Sequence, residues 1–438
     1  MKKIISALAV SALVLGSAAA KTSVNLNYRN GAYLFGYTNN GDKDAAKKTS
    51  VVFDSLSKYQ GGQDSMTFKA SGDILDFEAN IQPKVDDTIR FNVLKIGAKW
   101  GSFHVQSGWN GDGINGGYRV TNDAANVEGL LFETAKLGSM FDGSYSLYAD
   151  NQIEIGNNRI FTNRIMYAQA DYTLGFSDIK INFKGTVISD RGWNNEADNA
   201  IAGEYNGGNK GWSVFVDVSK GKMFKGEAFL KGTATTYNGD DKTVLVPGLY
   251  FQWLGTPNLI ATVGGAMTVF DGDLSDYSFD LRARYAVNSA LAITYYLKYS
   301  ALDEDNYMGF DKKGNVSQSK TAAIVKNVGY NGTAFSAQAV LWNFVNVRYA
   351  VTPNLIANVA LGALSDVGNL DNASNGTTIS IHPNAQIFAG KGASITVGVA
   401  ASFQGIGSEK ASSYKNSKND DGTTQIGIAI PLLFRVTM

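Results

Sequence analysis

The feature that most constrains this chain is a repeated segment of about ten residues in which every second side chain is apolar. In residues 279–285, Phe, Leu, Ala and Tyr alternate with Asp280, Arg282 and Arg284, and residues 293–299 repeat the pattern. Successive side chains of a strand point to opposite faces, so each segment would have one apolar and one polar face. No segment between these strands has the helical spacing of apolar residues, so the pattern predicts hairpins of antiparallel strands.

Two kinds of connector join these segments. Short turns include the near copies 254–261 and 350–357, both built around Thr-Pro-Asn, in which Pro presets one dihedral and Asn tolerates a left-handed one. The longer connectors are rich in Gly, Asn, Asp, Ser and Lys, and they lie at 39–50, 303–319, 369–377 and 405–422. Tight turns at one edge and long loops at the other are typical of transmembrane β-barrels.

These patterns predict an all-β fold, a transmembrane antiparallel up-and-down β-barrel with an even number of strands between 16 and 22, with 18–20 as the best match. Residues 321–347 allow either one long strand pair or an extra hairpin around Asn331-Gly332. The alternative fold is a soluble β-sandwich, whose two ends both carry loops of mixed length.

The N-terminus has the pattern of a secretory signal peptide. Lys2 and Lys3 precede an apolar stretch at residues 4–15, and Ala18–Ala20 supply the small residues that a signal peptidase reads. The apolar stretch is too short for a permanent transmembrane helix. We therefore expect cleavage after Ala20 and a single barrel domain over residues 21–438, with short periplasmic turns and longer extracellular loops.

Composition excludes several functional classes. Without Lys2 and Lys3, 37 basic residues face 39 acidic ones, so nothing indicates nucleic acid as a partner. The absence of Cys excludes disulfides, thiolate metal sites and a lipid-modified N-terminal cysteine. Only 6 Pro in 438 residues suits long hydrogen-bonded ladders, because Pro removes a ladder donor.

The last strand carries the most specific resemblance. Apolar residues occupy alternate positions from Ile426 to the end, including Ile430, Leu432, Phe434, Val436 and the terminal Met438. This resembles the C-terminal assembly signal of bacterial outer-membrane barrels of the general porin type, although that signal normally ends in Phe or Trp. The resemblance implies localisation in the bacterial outer membrane and recognition by the barrel insertion machinery.

The sequence offers little for catalysis. His104 and Ser107 are three residues apart, so in a strand they point to opposite faces and cannot form a nucleophile–base pair. His104 is interpreted as a lumen or interface residue, and His382 as a strand or loop polar group. Acidic clusters at 303–305 and 420–421 lack the ligand spacing of a calcium loop. We expect no enzyme activity, no cofactor and no metal site.

The polar faces of the segments supply the candidate functional residues. In a closed barrel they would face the lumen, where rings of charge set ion selectivity, although they could equally be solvated and paired with acids. The pore-lining candidates are Arg90, Lys180, Lys184, Asp280, Arg282, Arg284, Lys298, Arg348 and Arg435. The candidates for an interfacial aromatic belt are Trp100, Trp253, Tyr285 and Tyr349.

These features predict a channel for passive diffusion of small hydrophilic solutes or ions across the outer membrane. Outer-membrane lipids would be its surroundings, and barrels of this size suggest a homotrimer by analogy. Two alternatives stay open at this point. The barrel could anchor a surface adhesin or antigen, or the chain could be a soluble secreted β-protein.

Overall fold

In the computed structural model, the described residues are 21–39, 48–54, 65–83, 89–109, 166–189, 211–237, 240–302, 309–310, 316–317, 323–325, 335–337, 339–368, 376–390, 392–406 and 425–437. The expected signal peptide, the acidic clusters at 303–305 and 420–421, and Met438 lie outside these residues. Within them, no helix is long and apolar enough to cross a membrane.

The described chain forms strands β1 to β24. Their bounds are β1 Lys21–Asn39, β2 Lys48–Asp54, β3 Ser65–Ser71, β4 Leu75–Pro83, β5 Ile89–Trp100, β6 Phe103–Trp109, β7 Met166–Phe176, β8 Ile179–Ser189, β9 Gly211–Lys220, β10 Phe224–Tyr237, β11 Asp240–Trp253, β12 Leu259–Phe270, β13 Asp273–Ala286, β14 Leu291–Leu302, β15 Gly309–Phe310, β16 Val316–Ser317, β17 Ala323–Val325, β18 Phe335–Ala337, β19 Ala339–Thr352, β20 Leu355–Asp366, β21 Thr377–Phe388, β22 Ala393–Gly398, β23 Ala400–Ile406 and β24 Gln425–Thr437.

Twenty of these strands form one antiparallel sheet whose pairings run in a circle. Strand β1 pairs with β3, and each strand from β3 to β13 pairs with the next. The order continues through β19, β20, β21 and the couple β22 and β23 to β24. Strand β24 then pairs with β1 over Asn27–Asn39 and closes the circle.

Two couples of strands are halves of one interrupted strand. Strands β2 and β3 both lie along β1, and β22 and β23 both lie between β21 and β24. The twenty strands therefore make a wall of eighteen when each couple is counted once. This confirms the predicted antiparallel barrel and falls inside the predicted range of strand numbers.

The two faces of the wall differ in exposure and chemistry. On one face, large apolar side chains such as Val187 and Leu249 are 64% and 65% exposed. Their strand neighbours Thr186 and Tyr250 point to the other face and are 2% and 1% exposed. Because strand residues alternate between faces, the first is the outer face and the second the inner face of the barrel. Buried polar residues belong mainly to the inner face.

The two edges of the wall carry different connections. At one edge, which we call the turn edge, adjacent strands are joined within a few residues, as at 101–102, 177–178 and 353–354. The opposite edge, the loop edge, carries the longer connectors. It departs from the expected pattern at 238–239 and 271–272, where only two residues join the strands. Asp271 and Gly272 have φ of 52° and 98°, and Asp-Gly is a preferred pair for a tight hairpin turn of this hand.

The ambiguous stretch 321–347 contains a short extra strand pair. Strand β17 pairs with β18, and β19 follows as a full strand of the wall. The extra hairpin is therefore the alternative that the structure supports, and Asn331-Gly332 themselves lie outside the described residues.

Candidate functional site

The inner face of the barrel is the candidate functional surface, and it carries a cavity of about 750 Å³ beside the turn edge. We call this cavity the charged cup; strands β1 and β3 to β7 form its wall. Its ionisable lining residues are Lys21, Lys69, Asp76, Glu78, Lys95, Lys99, His104 and Asp171.

Charges in the cup are paired between neighbouring strands. The register places Glu78 directly between Lys69 and Lys95. The Lys69 Nζ lies 3.3 Å from Glu78 Oε1, and the Lys95 Nζ lies 3.0 Å from Glu78 Oε2. One carboxylate thus holds two ammonium groups. Lys69 is half exposed, so its pair contributes little to stability.

His104 lies between two carboxylates. Its Nδ1 is 3.0 Å from Asp171 Oδ1 on β7, and its Nε2 is 3.2 Å from Asp76 Oδ2 on β4. The second contact is an ion-pair distance without the alignment of a hydrogen bond, since Nε2 has no hydrogen-bond partner within the described structure. A neutral imidazole has only one N–H, so the ring satisfies both carboxylates only when both nitrogens are protonated.

A glycine makes the Asp76 contact possible. Strand β5 runs between β4 and β6, and its Gly97 pairs with Asp76. A Cβ on Gly97 would collide with Asp76 Oδ1 and would lie 2.6 Å from His104 Nε2. The missing side chain at position 97 therefore leaves the space in which Asp76 and His104 meet across β5.

Polar contacts continue away from the cup along the inner face. The Gln169 Nε2 donates to Asp171 Oδ1 at 3.3 Å, and Thr173 Oγ1 donates to Asn182 Oδ1 at 3.0 Å. The Asn182 Nδ2 in turn donates to Asp217 Oδ2 at 3.3 Å. These bonds extend the polar surface of the cup from β7 to β9.

Beyond the cup, part of the inner face is aromatic. Phe215 stacks on Phe229 with ring centroids 5.7 Å apart, and Phe229 stacks on Tyr250 at 6.1 Å. The Nζ of Lys184 lies 4.3 Å from the Phe215 centroid, a cation–π geometry. A Cβ on Gly248 would collide with the Phe229 ring. The expectation that the apolar side chains of each strand face outward is therefore wrong for β9 to β11, where Phe229 lies against Gly248 and Tyr250 lies against Gly264 on the neighbouring strands.

The predicted pore-lining residues occupy inner-face positions of their strands. Lys184 and Arg282 are buried, Arg284 and Arg348 are half-buried, and Lys180 is exposed near the turn edge. The remaining four are placed by the strand register alone. Arg90 pairs with Gln82, Asp280 pairs with Lys298, which is itself a predicted residue, and Arg435 pairs with Ser394. Among the five whose side chains the structure describes, Lys184 lies against the aromatic stack, and none lines the cup.

The predicted belt residues occupy the outer face at the turn edge. Trp100 is 55% exposed and stacks on Phe103, while Tyr285 and Tyr349 are about half exposed. The indole Nε1 of Trp253 donates to Thr256 Oγ1 at 2.9 Å. Their role at a membrane interface stays a prediction.

The amino-acid sequence points to His104 as an inner-face candidate but does not reveal its partners. His104 is on the inner face and Ser107 on the outer face, so the two are not a catalytic pair. Asp76, Glu78 and Asp171 were missed. The one available signal was Gly97, since a glycine inside a strand often marks a close approach of other groups.

The second histidine, His382, is fully buried on the inner face of β21. Within the described residues, no group of three or more His, Asp or Glu side chains has the arrangement of a metal site. The cup is therefore best described as a mixed-charge surface. The charged side chains of such a surface attract or repel ions, and its polar groups can form hydrogen bonds with solutes.

No protein-family model matches the sequence, and neither does any curated protein. Several solved structures resemble the fold at low sequence identity. The outer membrane channel DcaP of Acinetobacter baumannii is 9% identical, with 96% of this chain and 97% of that chain covered and a TM-score of 0.44. Pseudomonas aeruginosa OccK11 (OpdR) is 12% identical, with 96% of each chain covered and a TM-score of 0.45. The anion-selective porin from Comamonas acidovorans is 8% identical, with coverages of 95% and 99% and a TM-score of 0.43.

Proposed function

We propose that this chain is a channel of the bacterial outer membrane for passive diffusion of small hydrophilic solutes or ions. The observation that carries the proposal is the contrast between the two faces of the closed wall. The outer face exposes large apolar side chains, including Val187, Trp212 and Leu249. The inner face carries the charged cup and its polar extension.

The outer face favours a lipid environment. A soluble monomer rarely exposes a continuous apolar surface, because each Å² of it costs about 25 cal/mol in water. A closed ring of strands satisfies its backbone hydrogen bonds internally, which is the condition for a β-structure inside a bilayer. The proposal includes secretion with removal of residues 1–20, assembly by the insertion machinery, and a trimeric state.

The absence of enzyme activity belongs to the same proposal. Diffusion requires only a wide enough lumen, and the charged groups of the inner face would select among solutes. A wall of about eighteen strands is too wide for side chains alone to fill.

Single cysteines on opposite faces test the channel directly, because the native chain contains no Cys. Lys180→Cys places a thiol at an exposed inner-face position, and Ile181→Cys places one on the neighbouring outer-face position. Each protein would be purified, inserted into planar bilayers, and treated with a charged, membrane-impermeant thiol reagent. We expect the reagent to lower the conductance of Lys180→Cys and to leave Ile181→Cys unchanged.

A folded, membrane-inserted protein that carries no current would contradict the channel and favour the anchoring role. A mature chain that stays folded and soluble without detergent would contradict both membrane functions.

A further inference from the structure

The charged cup contains more cationic than anionic side chains, and only some of these side chains form ion pairs with one another. Four lysines line it, Lys21, Lys69, Lys95 and Lys99, against three carboxylates, Asp76, Glu78 and Asp171. The cup is lined mostly by polar residues, and its volume of about 750 Å³ leaves room for a small solute. What it can bind depends on which of these charges are already paired.

All three carboxylates already have cationic or polar partners on the wall. Glu78 contacts both Lys69 and Lys95. Asp76 and Asp171 lie on either side of His104, and Asp171 also accepts from the Gln169 amide. An incoming cation would have to compete with these groups for every carboxylate.

Two lysines differ from this pattern. Lys21 and Lys99 are exposed and line the cup, and no carboxylate among the described residues forms an ion pair with either. The register fixes both on the inner face, because Lys21 pairs with Ser71 and Lys99 pairs with His104. Their ammonium groups are the charges that a solute can reach without breaking an existing pair.

We propose that the cup binds a small oxyanion, a carboxylate or a phosphate, through Lys21 and Lys99. This deepens the proposed channel function and rests on it, since the cup lies on the face that solutes would pass. The hydroxyl groups of Ser71, Ser102 and Thr173 also line the cup and can donate to anionic oxygens. His104 assists indirectly: by holding Asp76 and Asp171 it reduces their repulsion of the anion.

Inorganic phosphate is the probe for the test, and the double variant Lys21→Met with Lys99→Gln removes both side-chain ammonium groups while leaving the α-amino group that Lys21 would carry after removal of residues 1–20. The matched control is Lys222→Gln, an exposed lysine in the β9–β10 turn at the same edge but outside the cup. Phosphate binding would be measured by calorimetry on detergent-solubilised protein, and phosphate block of conductance in bilayers.

We expect the double variant to weaken phosphate binding about tenfold or more, whereas Lys222→Gln should bind like the wild type. Equal affinity in the double variant and the wild type would overturn the proposal, as would failure of the wild type to bind phosphate. If the double variant does not fold, Lys99→Arg and Lys99→Gln alone provide the test, since the first should retain affinity and the second should lose part of it. Phosphate binding without conductance would support the oxyanion site and contradict the channel. Conductance without phosphate binding would support the channel and contradict the oxyanion site.

Discussion

Two parts of the inner face each place a pair of polar side chains on alternate strands, with a small residue on the strand between them. In the charged cup, Asp76 on β4 and His104 on β6 meet at 3.2 Å across Gly97. On the opposite part of the circle, Asn346 on β19 and His382 on β21 lie in line with Ala360 on β20. All three residues of this second place are 0% exposed.

The outcome differs between the two places. In the cup, His104 Nδ1 forms a hydrogen bond with Asp171, and His104 Nε2 lies 3.2 Å from Asp76 Oδ2 although it has no hydrogen-bond partner. At the second place, and within the described structure, the side-chain nitrogen and oxygen of Asn346 and both ring nitrogens of His382 have no hydrogen-bond partner. Alternate strands are about 9.6 Å apart, so two side chains can meet only by lying over the middle strand. A glycine there leaves that space open, whereas the Cβ of Ala360 stands in the direct line. Charge adds to the difference, because the contact in the cup includes the Asp76 carboxylate, whereas Asn346 has no charge.

The largest expected effect is an opposite response of the two histidines to the same substitution. His104→Leu would leave Asp76 and Asp171 without their common partner, at an expected cost of about 2 kcal/mol; the partial exposure of the three groups lowers the usual cost of breaking a buried ion pair. His382→Leu would remove an unpartnered buried polar ring and should raise stability by about 1 kcal/mol. Urea unfolding of the two variants in lipid vesicles checks both signs.

The comparison fails if both histidine variants lose stability to the same extent. That result would mean that the His382 ring stabilises the fold as much as the His104 ring does. Gly97 on β5 would then not explain a difference between the two histidines.

Gly97→Ala is expected to have the next largest effect. Its Cβ would displace the Asp76 carboxylate and the His104 ring, and the loss of their contact should lower stability by about 1 kcal/mol. Gly175→Ala is the matched control, because this inner-face position in β7 has no atom within 4 Å of an added Cβ. Unfolding midpoints of the two proteins would show the difference; equal midpoints would exclude a role for the gap at Gly97.

The smallest expected effect comes from Ala360→Gly, which puts a glycine between Asn346 and His382, as Gly97 lies between Asp76 and His104. A new hydrogen bond between Asn346 and His382 would be offset by the roughly 0.5–1 kcal/mol cost of glycine inside a strand, so stability should hardly change. A double-mutant cycle between positions 346 and 382 detects the bond itself. We expect coupling near zero in the native background and about 1 kcal/mol in the Ala360→Gly background. Zero coupling in both backgrounds would show that the backbone spacing, and not the methyl group, separates the pair.

Much of the fold follows from the sequence because alternation is a local signal. Asp280, Arg282 and Arg284 were predicted to share one face of their strand, and their register positions agree. The tight turn at Asp271-Gly272 was not among the predictions, although this residue pair favours a tight hairpin. These features depend on residues that are close together in the chain.

The site could not be predicted in the same way. The contact of His104 with Asp171 joins residues 67 positions apart, and it depends on the register of strands separated by a long connector. The inner aromatic stack was missed for a different reason. Phe215 lies between Val214 and Val216, so the alternation of apolar and polar residues is lost there. Its face is set by packing against Phe229, which no local pattern specifies.

The pairing of β1 with β24 determines when the molecule can become complete. Strand β1 pairs with β24 over Asn27–Asn39, so one side of β1 stays unpaired until β24 joins the wall. Non-local pairings of this kind form slowly, and an unpaired strand edge can recruit other chains. A variant that lacks β24 would therefore keep one edge of β1 permanently unpaired, and that edge would favour aggregation.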